Sequence, residues 1–352
     1  MRLLFFGFIF LMGCAVKEQY PLIIRNGLIY DGSGATPYKG DLAIRGDTIV
    51  AIGTFNAIGE KEIDVQGKAI APGFINMLSW ADGSLLKDGR SMSDIKQGVT
   101  LEVFGEGWSP GPRRKKNAQD TLWSTLGEYF SLLEQKGVST NFASFVGATT
   151  VRNYVLGYDN RAPEQHELEQ MKQLVDQAMR EGAMGLGSSL IYAPADYAST
   201  EELIELSKVV SKYSGMYITH MRSESDKILP ALNEAFRIAQ EANVPAEIYH
   251  LKINNTWNWN KIDTVIFKID SAQKAGLKIT ADMYTYNASG TSLTARLPTW
   301  VQEGGALAMR KRLKNPTLRA RVLNELKLGV PSRNSDPKDV MLIDFRKDSL
   351  NE

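Results

Sequence analysis

The fold is decided by residues 216–253, which read MYITHMRSESDKILPALNEAFRIAQEANVPAEIYHLKI. The runs Met216–Met221 and Ala246–Ile253 are short, apolar and rich in strand-forming residues. Between them, Lys227–Ala242 carries apolar residues at helical spacing. Two strands joined by a crossover helix lie parallel in one sheet. The segment therefore predicts a parallel sheet with helices packed on it.

The same alternation continues through most of the chain after Pro72. Seven runs are strand candidates: Gly73–Leu78, Thr100–Gly105, Asn141–Val146, Gly185–Leu190, Met216–Met221, Ala246–Ile253 and Lys278–Tyr286. Amphipathic helices are predicted between them at Thr121–Gln135, Pro163–Arg180, Thr200–Ser214, Lys227–Ala242 and Lys261–Ala275. Doubly wound folds share this pattern, but polar residues follow so many different strands that a barrel is favoured. A closed barrel of this type has eight strands. We therefore expect residues 72–352 to form an α/β fold, a (β/α)8 TIM-type barrel lacking strand eight in this chain.

The segment before the barrel has a different rhythm. Residues 20–71 contain short apolar runs separated by turn sequences such as Arg25-Asn26-Gly27 and Arg45-Gly46-Asp47. Such turns connect neighbouring antiparallel strands. We expect a small N-terminal β domain of the β-sandwich type.

The first residues are typical of a targeting segment. Arg2 precedes the apolar run Leu3–Met12, which is too short to cross a bilayer but suits the apolar part of a signal peptide. Leu11-Met12-Gly13-Cys14 is similar to the lipobox of bacterial lipoproteins, in which the cysteine is lipidated. We therefore expect residues 1–14 to be a lipoprotein signal peptide, with lipidation at Cys14. This would place the protein in the bacterial cell envelope, lipid-anchored or periplasmic. The alternative is an ordinary secretory signal with an incidental cysteine.

Composition excludes some classes of function. The 352 residues carry a net charge of +1, which argues against a nucleic-acid-binding surface. Cys14 is the single cysteine, so the mature fold has neither an internal disulfide nor a thiolate zinc site. Contact with a membrane is expected only through the lipid anchor.

Two of the three histidines occupy matching positions. His220 and His250 each close a strand-like run, about one βα unit apart, where a barrel presents its active site. Imidazole is the commonest metal ligand, so the pair predicts a metal site; two unrelated buried histidines are the alternative. Glu106, on a glycine-flanked loop after a strand, is a candidate third ligand or a solvated turn residue. His166 lies among Glu and Gln residues and is expected to be solvated.

Strand alternation adds further candidates. His250 and Lys252 are expected to face the same way, as are Asp282, Tyr284 and Tyr286. A lysine or tyrosine facing a metal can polarise a carbonyl or hold a substrate carboxylate. Each is equally compatible with an ordinary salt bridge or hydrogen bond inside the barrel.

These segments together carry a family resemblance. The chain resembles the N-acyl-D-amino-acid deacylases (D-aminoacylases) of the amidohydrolase superfamily in segments that follow the family order from about residue 72 to 286. They are Pro72-Gly73-Phe74-Ile75-Asn76, Gly98-Val99-Thr100, Gly105-Glu106-Gly107, Gly182-Ala183-Met184-Gly185-Leu186-Gly187-Ser188-Ser189, Thr219-His220-Met221-Arg222, His250-Leu251-Lys252 and Asp282-Met283-Tyr284-Thr285-Tyr286.

The resemblance implies a set of roles for individual residues. A zinc ion would be held by His220, His250 and a third ligand from the loop after strand two, a position at or beside Glu106. That third ligand is a cysteine in many members of the family. Lys252 and Tyr284 correspond to the catalytic residues that bind and polarise the acyl amide. Tyr192 and Ser289 correspond to substrate-binding positions.

Two departures from the family pattern bear on the chemistry. The first strand of the superfamily ends in His-x-His, which binds a second metal, and here those positions read Leu78-Ser79-Trp80. Leu and Trp are not zinc ligands, so one zinc per chain is expected. The family's general base is an aspartate after strand eight, which we expect to lie in a part of the fold that this chain does not reach. This chain by itself is therefore expected to be a poor catalyst even with zinc bound.

The sequence thus favours hydrolysis of small N-acyl-D-amino acids or related amides by zinc-activated water. A lipid-anchored binding protein that kept the barrel and lost catalysis is the main alternative. A relative that acts on cyclic amides is a third possibility.

Overall fold

The computed structural model describes residues 17–115, 122–328 and 340–341. Residues 1–14, with the expected lipidation site Cys14, lie outside this part of the chain. The described residues contain no helix with the length and apolar character needed to span a bilayer. The chain divides into two compact units, with the boundary between Phe74 and Ile75.

The first unit is a single five-stranded sheet. Its strands are β1 (Glu18–Ile29), β2 (Tyr38–Arg45), β3 (Thr48–Gly53), β4 (Ala57–Asp64) and β5 (Ala69–Ile70). The strand order is β3-β2-β1-β4, and β5 pairs with β1. Tyr20, Ile23, Ala43 and Ala57 form its small buried core.

This sheet differs from the expected domain in three respects. The β1–β2 and β2–β3 pairs are antiparallel as expected, but β4 and β5 run parallel to β1. The predicted turn at Arg25-Asn26-Gly27 is instead an irregularity within β1, between Ile24 and Gly27. The expectation of a sandwich is also not met by the described residues, which form one sheet rather than two facing sheets. Turn sequences identify strands that follow each other directly, but they do not show where the chain returns to the sheet.

The second unit alternates strands and helices. Its strands are β6 (Phe74–Asn76), β7 (Val99–Phe104), β8 (Asn141–Ser144), β9 (Val146–Gly147), β10 (Gly185–Ser189), β11 (Met216–His220), β12 (Ala246–Ile248) and β13 (Ile279–Ala281). Hydrogen bonds join them in chain order, as β6-β7-β8 and as β9-β10-β11-β12-β13, and only Phe145 separates β8 from β9. The pairs from β7 to β8 and from β9 to β13 are parallel. Each of the seven predicted runs therefore overlaps a strand.

Ten helices accompany these strands in the described residues: α1 (Asp82–Leu85), α2 (Met92–Ile95), α3 (Leu126–Lys136), α4 (Ala148–Leu156), α5 (Gln165–Arg180), α6 (Thr200–Ser211), α7 (Ile228–Ala242), α8 (Ile262–Lys274), α9 (Gly305–Lys314) and α10 (Pro316–Leu328). Some of the helices have N-terminal ends that side chains cap. Thr125 and Glu128 form a capping box on α3, and the Ser199 hydroxyl accepts from the Glu202 N–H on α6. Helix α4 was not predicted, because its first turn contains β-branched residues that favour strands.

Both faces of the central parallel strands β10 and β11 are buried, whereas Thr280 and Ala281 of β13 are exposed. One face, with Leu186, Tyr217 and Ile248, packs against the apolar sides of the helices. Alternate residues on the other face, including Ile218 and Tyr249, form a second apolar cluster with Val103 and Phe145. Strands buried on both sides leave their ends as the place where polar side chains can collect.

A buried ion pair joins two of the helices. The Arg152 Nη1 atom of α4 lies 2.5 Å from the Glu202 Oε2 atom of α6, and Arg152 also donates to the carbonyl oxygens of Asp159 and Arg161. Burial raises the pKa of Glu202, although Arg152 opposes the shift. The pair holds the loop after α4 against α6.

Replacing Arg152 with Met is expected to destabilise the fold by about 3–5 kcal/mol, because the Glu202 carboxylate would stay buried without its partner. Urea unfolding followed by circular dichroism measures the change. The double variant Arg152→Met, Glu202→Leu is the control and should recover part of the loss. An Arg152→Met chain as stable as the wild type would show that the pair does not stabilise the fold.

Candidate metal centre and substrate site

The side chains of Glu106, His220 and His250 meet at the C-terminal ends of the strands. Glu106 follows β7, His220 ends β11 and His250 follows β12. One potential ligand atom from each residue lies within 4.8 Å of those of the other two. The structure therefore brings together the three residues that the sequence suggested as metal ligands.

Two glycines shape the loop that carries Glu106. Gly105 has φ +107° and Gly107 has φ +73°, values that residues other than glycine rarely adopt. Their carbonyl oxygens lie very close to glycines of the neighbouring strands. A Cβ atom at Gly187 would lie 2.0 Å from the Gly105 oxygen, and one at Gly147 would lie 2.1 Å from the Gly107 oxygen. The glycines thus allow the backbone to bring Glu106 inward, where it is 8% exposed.

The two imidazoles share one oxygen of this carboxylate. The Nδ1 atom of His220 lies 2.8 Å from Glu106 Oε1, and the Nε2 atom of His250 lies 3.3 Å from the same oxygen. The two rings are nearly perpendicular, with centroids 4.5 Å apart. The nitrogens that face Glu106 therefore differ between the two histidines.

His250 reaches the site in an unusual backbone conformation. Strand β12 ends at Ile248 rather than at Ile253 as predicted, and His250 has φ +39°. Its N–H donates to Asp282 Oδ1 at 2.5 Å. A turn, and not strand alternation, therefore places His250 and Lys252 next to each other.

The charges in this cluster stabilise one another. Burial alone would raise the pKa of Glu106, but the hydrogen bonds from His220 and His250 outweigh it and hold the pKa at about 2. Burial lowers the pKa of His250, while the carboxylates of Glu106 and Glu224 raise it to about 9. An ionised carboxylate beside two imidazoles is a donor set that suits zinc, and three protein ligands leave a position open for water or substrate.

The other predicted site residues surround this cluster. Lys252 Nζ lies 3.0 Å from His250 Nδ1 and 5.5 Å from the centre of the Tyr284 ring. The Tyr284 ring centroid is 6.4 Å from that of His250. The Tyr192 ring stands edge-on to His220 with centroids 5.6 Å apart. Ser289 is exposed and lies close enough to Tyr284 to affect the pKa of its hydroxyl.

Strand β13 is also shorter than predicted. It ends at Ala281 instead of Tyr286, so alternation does not align Asp282, Tyr284 and Tyr286. Tyr286 is 75% exposed, whereas Asp282 contacts His250 through the backbone N–H. His166 is solvated as predicted, with a side chain that is 75% exposed.

One buried residue of the site was missed. Glu224 comes four residues after His220 and contacts both His250 and Lys252. Its segment, Ser223-Glu224-Ser225, has the composition of a polar loop, and only its proximity to His220 in sequence could have indicated it.

The positions of the expected second metal ligands are apolar. Leu78 packs against the apolar cluster formed by Val103, Phe145, Ile218 and Tyr249. Trp80 is 56% exposed. The middle residue, Ser79, is buried and donates to Glu102 Oε2 at 2.7 Å.

The sequence of the chain is similar to those of known proteins over most of its length. No family model matches it. The D-aminoacylase of Alcaligenes xylosoxydans xylosoxydans is 34% identical over 289 residues, which are 79% of this chain and 60% of that protein. The chain thus spans about 60% of the length of this relative.

Solved structures of related proteins are also similar to this chain. A crystal structure of D-aminoacylase, described as defining a novel subset of amidohydrolases, has a TM-score of 0.69 at 33% identity, covering 76% of this chain and 59% of that one. N-acyl-D-glutamate deacylase from Bordetella bronchiseptica has a TM-score of 0.70 at 27% identity, with the same coverage. That enzyme was crystallised with zinc and a phosphonate inhibitor that mimics the tetrahedral intermediate of its reaction. These neighbours imply a TIM-barrel-like α/β fold for this chain.

Replacing Gly187 with Ala is expected to weaken zinc binding, because the new Cβ would force the Gly105 carbonyl and the attached Glu106 to move. Zinc content after dialysis and the melting temperature measure the two consequences. Gly83→Ala is the matched control, since a Cβ atom there meets nothing within 4 Å. Zinc retention equal to that of the control would contradict this account of the loop.

Proposed function

Because the chain is homologous to the D-aminoacylases and other N-acyl-D-amino-acid deacylases over 79% of its length, we propose that it hydrolyses the amide bond of small N-acyl-D-amino acids. The observation that carries the proposal is the convergence of Glu106, His220 and His250 beside Lys252 and Tyr284. This arrangement combines a candidate metal site with hydrogen-bond donors for a substrate.

We propose that Glu106, His220 and His250 hold one zinc ion. Such an ion, when bound, lowers the pKa of a water molecule and polarises a carbonyl group. The positions of a second ion carry Leu78 and Trp80, whose side chains offer no zinc-binding atom. The proposed stoichiometry is therefore one zinc per chain.

Tyr284 and Lys252 are the proposed donors to the substrate. Burial, together with the nearby negative charge of Glu224, raises the pKa of Tyr284. The hydroxyl therefore keeps its proton at neutral pH and can donate to an oxygen on which negative charge develops. The ammonium group of Lys252 lies over the Tyr284 ring and can stabilise the same charge.

Tyr192 and Ser289 are proposed to contact the substrate. The Tyr192 ring covers one side of His220, and its hydroxyl forms a hydrogen bond of 2.8 Å with Thr291. Ser289 lies close enough to Tyr284 to affect its pKa and is therefore near one of the proposed donors. These side chains would form the walls that orient the acyl amino acid.

A binding protein without catalytic activity is the second candidate. It is favoured by the replacement of the expected histidines with Leu78 and Trp80. This candidate also binds zinc at His220 and His250, so zinc content alone does not separate it from an enzyme. Hydrolysis separates the two.

The wild-type protein, expressed over its full natural length, is expected to hold about one zinc and to release free amino acid from N-acetyl-D-amino acids, with N-acetyl-L-amino acids as the comparison. Tyr284→Phe should retain zinc and lose roughly 10²–10³-fold in kcat, since a donor to the developing charge is removed. His220→Ala and His250→Ala should lose the zinc. Plasma emission spectroscopy and an amine-release assay measure these outcomes.

The matched control is Tyr286→Phe, which removes the hydroxyl of an exposed tyrosine two residues away. Equal rates for the two tyrosine variants would remove Tyr284 from the mechanism. Zinc binding without hydrolysis of any N-acyl-D-amino acid would favour the binding protein.

We further propose that the protein is attached to the bacterial cell envelope by a lipid on Cys14. The basis is the apolar run Leu3–Met12 followed by Gly13 and Cys14. Cells fed an alkyne-labelled fatty acid should label the wild-type protein and leave a Cys14→Ser variant unlabelled. Labelling of the Cys14→Ser variant would show that the lipid, if present, is attached elsewhere.

A further inference from the structure

Glu224 is a buried carboxylate at the back of the proposed zinc site. It is 5% exposed and lies in the segment after β11, four residues beyond His220. Its Oε1 atom lies 2.7 Å from Lys252 Nζ and 2.9 Å from His250 Nδ1. Its Oε2 atom accepts from Asn254 Nδ2 at 3.2 Å, and its carbonyl oxygen accepts from the Asn254 N–H. The carboxylate is thus fixed by contacts on several sides.

Glu224 faces the second nitrogen of each imidazole. His220 Nδ1 and His250 Nε2 point to Glu106, whereas His250 Nδ1 and His220 Nε2 lie 2.9 Å and 3.8 Å from Glu224. Within the described residues, the buried His220 Nε2 atom has no hydrogen-bond partner. A neutral imidazole that binds a metal through one nitrogen carries its proton on the other. Both protons would therefore point at the same carboxylate.

We propose that Glu224 is a positioning residue that orients His220 and His250 for zinc and holds Lys252 beside them. The inference rests on the proposed function, because it assumes that the two rings bind a metal. A hydrogen bond from the second nitrogen fixes both the orientation and the tautomer of a metal-binding histidine. Here one carboxylate lies beside the second nitrogen of two ligands from adjacent strands, at 2.9 Å for His250 and at 3.8 Å, beyond hydrogen-bond length, for His220.

The charge of Glu224 has a second effect. Lys252 Nζ lies 3.0 Å from His250 Nδ1, so its ammonium group is only one imidazole ring away from the proposed cation. Two like charges at this separation repel each other in a buried site. The carboxylate of Glu224, in contact with both Lys252 and His250, offsets this repulsion. An uncharged residue of the same size would keep the shape of the site without this effect.

The test compares three full-length variants. Glu224→Ala removes both the acceptor and the charge, and Glu224→Gln keeps the volume and one acceptor oxygen. Glu202→Gln is the matched control, because Glu202 is equally buried but pairs with Arg152 away from the zinc ligands. The readouts are the zinc dissociation constant by chelator competition, the visible spectrum of the cobalt-substituted protein, and unfolding in urea.

Glu224→Ala is expected to weaken zinc binding by about 10–100-fold, the usual effect of removing a residue that orients metal ligands. Glu224→Gln should give an intermediate constant and an altered cobalt spectrum. Glu202→Gln should lower stability and leave the zinc constant within about twofold of the wild type.

Several outcomes would overturn the inference. In the first, the wild type binds zinc and hydrolyses its substrate, and the zinc dissociation constants of Glu224→Gln and Glu224→Ala lie within twofold of the wild-type value. The proposed function would then be retained, and the role of Glu224 would be rejected. Another is equal weakening by Glu202→Gln, which would assign the effect to general loss of stability. A wild-type protein that binds no zinc would contradict both the proposed function and the role of Glu224.

Discussion

An ionised carboxylate can be buried only where neighbouring groups stabilise its charge, and Glu106 satisfies this condition through His220 and His250. Its Oε1 atom lies within 3.3 Å of a ring nitrogen from each. Removing such a charge from water costs several kcal/mol unless partners compensate it. The three side chains therefore depend on one another. The ends of β7, β11 and β12 have to converge for any of them to be stable where it lies.

The electrostatic arrangement continues outward from this cluster. Glu224 lies behind the imidazoles and holds Lys252, which in turn lies over Tyr284. Burial alone would raise the pKa of Glu224, but its interactions with His220, His250 and Lys252 outweigh burial and hold the pKa at about 2. Negative and positive groups thus alternate from Glu106 to Lys252. Such alternation allows several ionised groups to share one small, buried volume.

The order of strands and helices after Pro72 could be predicted from the sequence because apolar periodicity records burial directly. The meeting of His220 with His250 followed from the rule that parallel strands present their ends at one edge. The left-handed conformation of His250 could not be predicted, since it accompanies the hydrogen bond from its N–H to Asp282, the residue directly after the next strand. Glu224 was missed for a related reason. Its burial results from contacts with residues about 26–30 positions later in the chain, which local patterns do not encode.

The glycines around Glu106 constrain the path of the backbone and leave the side chain at position 106 unconstrained. Gly187 and Gly147 admit no side chain because the backbone on either side of Glu106 passes against them. The side chain of residue 106 itself extends toward the imidazoles and meets no such limit from the neighbouring strands. Under mutation, the path of this loop should therefore be conserved more strictly than the chemical nature of the group it presents. A lineage could then exchange one metal-binding side chain for another here without rebuilding the surrounding strands.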